Sequence, residues 1–108
     1  MDMAAWLALA AAGLMEIVWT LGLKYSDGFT RLWPNVITAV AIPLSFVFLG
    51  LSLQSVPFGV AYAIWAGIGA AGALVTGIVL FGEPADSVRI ICLSLIIAGM
   101  VGLKLAGP

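Results

Sequence analysis

Four long apolar tracts follow one another along the chain with little between them. The first, "MAAWLALAAAGLMEIVWTLGL" over residues 3–23, holds a single charge, Glu16. Residues 32–53 and 58–81 hold none, and residues 90–103 are uncharged between Arg89 and Lys104. About 20 apolar residues cross the hydrocarbon core of a bilayer, so the first three tracts read as transmembrane helices. The fourth is shorter, but Arg89 and Lys104 have long side chains that reach opposite interfaces. The pattern predicts helices over residues 3–23, 32–53, 58–81 and 88–105. The tracts are continuous rather than alternating, which argues against barrel strands. The expected fold is an all-α membrane protein, residues 1–108 forming one four-helix transmembrane domain with no stretch left for a soluble one.

The connections are short. "KYSDGFTRLWPN" carries an Asp-Gly turn signal, and its Pro34 suits the first turn of the second helix. "QSVPFG" is a tight uncharged turn, and "FGEPADS" offers Asp86 or Ser87 as a cap for the fourth helix. Pro43 inside the second helix should bend it or free a carbonyl. The first tract does not read as a cleaved signal, because Asp2 replaces a basic cluster and Glu16 falls at the apolar centre.

Composition narrows the chemistry. The chain is 64% hydrophobic and 8% charged, with a mean hydropathy of +1.24. A net charge of −1 gives no case for nucleic acid. Cys92 is the only cysteine and there is no histidine, so neither a metal site nor another cofactor is expected. Cys92 itself reads as a small buried apolar residue. Lys24, Arg31 and Arg89 fall on one side of the membrane and Lys104 on the other. That bias nominally places the first and third loops inside, by a small margin.

Glu16 carries the functional question. An ionised group at a helix centre costs about 2.5–3.5 kcal/mol on insertion scales, so such groups face a cavity or a bundle interior. One reading is a protonated carboxyl hydrogen-bonded to a neighbouring helix. The other is a carboxyl that exchanges a proton for a cation. Removal from water favours the neutral form and a bound cation favours the carboxylate, so the two compete for one group. Such competition is enough to couple their transport.

The neighbours of Glu16 suit the second reading. Trp19 and Thr20 share its helix face, as do Ala12, Gly13 and Leu9. Small residues there admit another helix or a solute. In the third tract Tyr62 and Trp65 stand three apart and can line a site together, since aromatic faces attract cations. An aromatic belt at the lipid interface is the other account of them. Gly67 and Gly69 read as a hinge or as close-packing positions. Ser45 is a candidate hydrogen-bond partner for Glu16, or bonds its own helix backbone.

At this point the chain resembles the small multidrug resistance family over nearly its whole length. The resemblance rests on "MEIVW" with its membrane glutamate, "LKYSDGFTRLWP", "VPFGVAYAIWAGIGA" and the "GLK" near the end. Trp19, the "GEP" of the third loop and Lys104 look like the guanidinium-exporting subtype. Drug-exporting members typically have glycine where Trp19 stands. The resemblance implies an antiparallel homodimer in the bacterial inner membrane, its copies inserted in opposite orientations. It implies that Glu16 binds substrate or protons in one shared site. Trp19 and Ser45 would orient its carboxylate, and Tyr62 and Trp65 would line the pocket. Gly67 and Gly69 would form the gating bend, and the fourth helix, with Ser94, Ala98 and Gly99, the dimer contact.

The expected activity is proton-coupled export of guanidinium and small guanidinyl cations, with lipid and a second copy as the other partners. A planar ion with fixed N–H donors matches a carboxylate bidentately. The alternative within the same fold is export of quaternary ammonium or aromatic cations. A non-transporting assembly or a rotor subunit is a more distant alternative, since rotor subunits are two-span hairpins. An enzyme is not expected, because one membrane glutamate makes no reaction centre.

Overall fold

A computed structural model describes residues 3–106; Asp2 lies outside the described residues. Four helices account for nearly all of them: α1 (Met3–Tyr25), α2 (Leu32–Ser52), α3 (Phe58–Phe81) and α4 (Ser87–Leu105). They contain 23, 21, 24 and 19 residues. At about 1.5 Å per residue each reaches roughly the ~30 Å depth of a hydrocarbon core. All four are long and apolar enough to cross a membrane.

The loops are tied by backbone and side-chain hydrogen bonds. After α1 the backbone is left-handed at Asp27, Gly28 and Phe29 (φ 50, 70 and 68°). The Asn35 amide holds that turn by donating to the Phe29 carbonyl at 2.7 Å. α2 runs unbroken through Pro43, although the ring removes one amide donor from its ladder. α3 stops at Gly82 (φ 67°), and the Glu83 N–H folds back onto the Gly77 carbonyl at 3.1 Å. Asp86 is the α4 cap: its carboxylate accepts from the Arg89 N–H at 3.0 Å and the Arg89 guanidinium at 2.6 Å.

The bundle is flat, 42 × 35 × 17 Å. α1 packs against α2 and α3, whereas the backbone of α4 approaches α3 alone. Large side chains such as Phe46, Val79, Ile91 and Leu95 point outward, as lipid-facing positions should. Few side chains are fully enclosed, and the buried polar ones, Ser26, Thr38, Ser45 and Ser52, all bond backbone carbonyls. Cys92 is exposed on α4, not buried as its residue type suggested, because no described residue covers the face of α4 on which it lies.

Candidate binding site

The α1–α3 seam positions Glu16. Here glycines form notches that side chains from the facing helix occupy. A Cβ on Gly13 would lie 2.6 Å from Ile68 Cγ2, and one on Gly72 would overlap the end of Ile17. A Cβ on Gly69 would overlap the Glu16 carboxyl itself. Gly69 is buried and Glu16 half-buried, so the carboxyl rests on bare backbone in the middle of α1. Among the described residues no side chain donates a hydrogen bond to that carboxyl, and no cation pairs with it.

Ser45 lies one turn away and ties three helices together. It is fully buried, and its hydroxyl donates to the Ala12 carbonyl at 2.8 Å. It accepts in turn from the Trp65 indole N–H at 3.0 Å. The expectation that Ser45 bonds Glu16 or its own helix is corrected on both counts: its single proton is committed across the interface to α1. Trp65 also meets Phe46 (5.9 Å between centroids) and Tyr62 (5.6 Å, edge-on). Tyr62 is half exposed and stacks toward Phe58.

Trp19 carries a donor without an acceptor among the described residues. Its indole nitrogen is buried and has no partner, so the expected bond to Glu16 is not made within one chain. Thr20 donates to the backbone carbonyls of Glu16 and Ile17, both at 2.9 Å.

The α3 helix is continuous through Gly67 and Gly69, and both notches are filled. Met100 of α4 sits over Gly67, its sulfur 2.7 Å from where a Cβ would stand. Ser94, Ala98 and Gly99 all lie on the exposed surface of α4, and a Cβ on Gly99 would meet nothing within 4 Å. A groove of about 480 Å³ runs between α1, α3 and α4, lined by Trp6, Ile64, Ile68, Met100 and Lys104; Glu16 does not line it. The Lys104 ammonium stands 5.4 Å from the Trp6 ring centre.

Sequence reasoning missed the Ala12 carbonyl as an anchor and Met100 as the filler of Gly67. A backbone carbonyl has no sequence signature, and a methionine in an apolar tract reads only as apolar.

These features define an all-α, multi-pass membrane protein with a lone carboxylate at its centre. Residues 4–96 match the family model described as "Small Multidrug Resistance protein". The chain belongs to the small multidrug resistance family. It is 54% identical over 102 residues to a protein of Yersinia pseudotuberculosis named guanidinium exporter, covering 94% of this chain and 98% of that one. Proteins of the same name from Escherichia coli K12 and Salmonella typhimurium are 52% and 51% identical, each over 94% of this chain and 97% of the relative.

Proposed function

We propose that this protein exports guanidinium and small guanidinyl cations in exchange for protons across the bacterial inner membrane. The observation that carries the reading is Glu16. It is the one acidic residue within the four spans, it has no cation or donor among the described residues, and it belongs to a chain whose close relatives are named for guanidinium export. A carboxylate in a low-dielectric seam needs either a proton or a cation. Whichever binds displaces the other, and a transporter that crosses the membrane only when one is bound exchanges them.

The working unit is an antiparallel homodimer, with one Glu16 from each copy in a shared site. Two features support this. The groove beside α1 leaves Glu16 out, so one flat chain does not enclose the carboxyl in it. α4 presents small residues to open space, where a second copy can approach closely. Trp19 supplies the unused indole N–H that fixes a carboxylate once the proton leaves. Tyr62 and Trp65 give the site an aromatic wall held by Ser45. Bending of α3 near Gly67 and Gly69 exchanges access between the two sides.

The test is electrical. Purified protein in vesicles on a solid support should give currents with guanidinium under a proton gradient, and smaller ones with a tetraalkylammonium ion. Larger currents with the quaternary ion would move the assignment to drug export, and no current with either would remove coupled transport.

A further inference from the structure

The end of the α1–α3 seam, one to two helical turns from Glu16, contains a cavity that the mechanism above does not use. It is about 170 Å³ in volume and is lined by Thr20 and Lys24 of α1, Thr76 and Phe81 of α3, and Glu83 of the loop beyond. Its polar groups are mostly acceptors, for a reason visible in their hydrogen bonds. Thr20 commits its proton to the Glu16 and Ile17 carbonyls, and Thr76 commits its own to those of Gly72 and Ala73 at 2.9 and 3.1 Å. Each hydroxyl therefore has only lone pairs left to offer. The capping turn at Gly82 brings the Glu83 carboxylate back over Gly77, where a Cβ would overlap it. Among the described residues no donor reaches that carboxylate. The one cation lining the cavity, Lys24, stands over the Phe81 ring at 5.1 Å from its centre rather than in an ion pair.

We propose that this cavity is an outer binding site for guanidinium, with Thr20, Thr76 and Glu83 as its acceptors and the Lys24 ammonium as an internal competitor. It rests on the reading of guanidinium as substrate. A guanidinium ion has donors and no acceptor, which is the complement of two donor-spent hydroxyls and a free carboxylate. The size fits a small ion: drug-sized ligands occupy pockets of about 300–1,000 Å³. The site stands on the seam that leads to Glu16. At about 1.5 Å rise per residue, Thr20 is roughly 6 Å along α1 from Glu16 and Lys24 as far again. A cation held there is one short step from the central carboxylate.

The experiment measures guanidinium KM and maximal current in reconstituted full-length protein at physiological salt. Glu83→Gln and Thr76→Val should each raise KM by roughly three- to fivefold, the size of an exposed charge contact converted to affinity, with maximal current kept. Lys24→Met should lower KM, a direction that misfolding cannot produce. Asp27→Asn removes a charge from the loop after α1 and serves as the control for a diffuse surface field. The outer site is overturned if Thr76→Val leaves KM unchanged, or if Asp27→Asn shifts it as much as Glu83→Gln does. A wild-type protein without guanidinium current overturns the proposed function, and this site with it.

Discussion

The α1–α3 seam and the outer face of α4 are both rich in small residues, yet they use them in opposite ways. Along the seam the notches are filled: Ile68 at Gly13, Glu16 at Gly69, Ile17 at Gly72. On α4 the small positions are empty, with nothing within 4 Å of a Cβ at Gly99 or Gly102 and no buried residue in the whole helix. In lipid there is no hydrophobic force to bring helices together, so close packing has to come from fit. A filled notch is therefore accounted for by the fold of one chain. An open one on α4 is not, and the proposed dimer is what would use it.

The seam predicts the largest effect. Glu16→Gln keeps the volume of the side chain that rests on Gly69 but removes its ability to exchange charge. Coupled transport should vanish while the folded protein persists, checked by proton-driven currents beside size-exclusion behaviour. In the wild type the cation needs the carboxylate form. Apparent guanidinium affinity should therefore strengthen as pH rises through the titration of Glu16 and level off above it. Proton-driven uptake by a folded Gln variant would take Glu16 out of the mechanism.

The outer face of α4 predicts the next. A Cβ at Gly99 has nothing within 4 Å of it inside one chain, so the fold should tolerate Gly99→Leu. If a second copy packs there, dimerisation and transport should fall together, because the shared site needs a glutamate from each. Crosslinking in vesicles gives the dimer fraction. A loop cysteine, in a background with Cys92 replaced, should be labelled from both sides of the membrane. Labelling from one side only would reject the opposed orientations, and a fully dimeric, active Gly99→Leu protein would put the interface elsewhere.

Much of this is legible in the sequence. Three uncharged or nearly uncharged tracts and a fourth bracketed by Arg89 and Lys104 are enough to place four spans, because charge is so costly in the membrane. Glu16 stands out for the same reason. What periodicity cannot give is azimuth in a helix that is apolar all round. Nothing in "GVAYAIWAGIGAAGALVTG" says that Gly69 meets Glu16 while Gly67 meets Met100. Ser45 was recognisable as a polar residue near the site, but its acceptor, the Ala12 carbonyl, depends on how α1 and α2 cross. The Glu83 carboxylate reads as a loop charge until the left-handed Gly82 turns it back over the seam.

Trp19 sharpens the comparison from inside the chain. Its buried indole N–H has no partner, and an unsatisfied buried donor costs about 1–3 kcal/mol. Trp19→Phe removes the donor and keeps much of the bulk, so the protein should be no less stable. Guanidinium affinity should move the other way. One hydrogen bond to a charged group is worth about 1.5–3 kcal/mol, or roughly one to two decades in affinity. Trp19→Gly should weaken guanidinium as well and give room to bulkier cations. A Phe variant that handles guanidinium like the wild type would leave Trp19 a role in shape alone.

The smallest effect expected of this comparison is also the most direct test of filled against open positions. Gly69→Ala adds one methyl where the Glu16 carboxyl now lies, and Gly50→Ala on α2 adds the same methyl where nothing stands within 4 Å. Within a helix, alanine is favoured over glycine by up to ~1 kcal/mol, so neither change should harm helix formation. At Gly50 that is the whole effect. At Gly69 the obstacle is the far end of a flexible side chain, which can rotate aside, so the fold should survive there too. The carboxyl would no longer rest at its present depth in the seam. A displacement costing about 1.4 kcal/mol of cation binding is a tenfold loss of affinity, read as a rise in guanidinium KM. Equal, unchanged KM values for the two variants would mean that the position of the carboxyl against Gly69 is incidental, and that the seam holds Glu16 without aiming it.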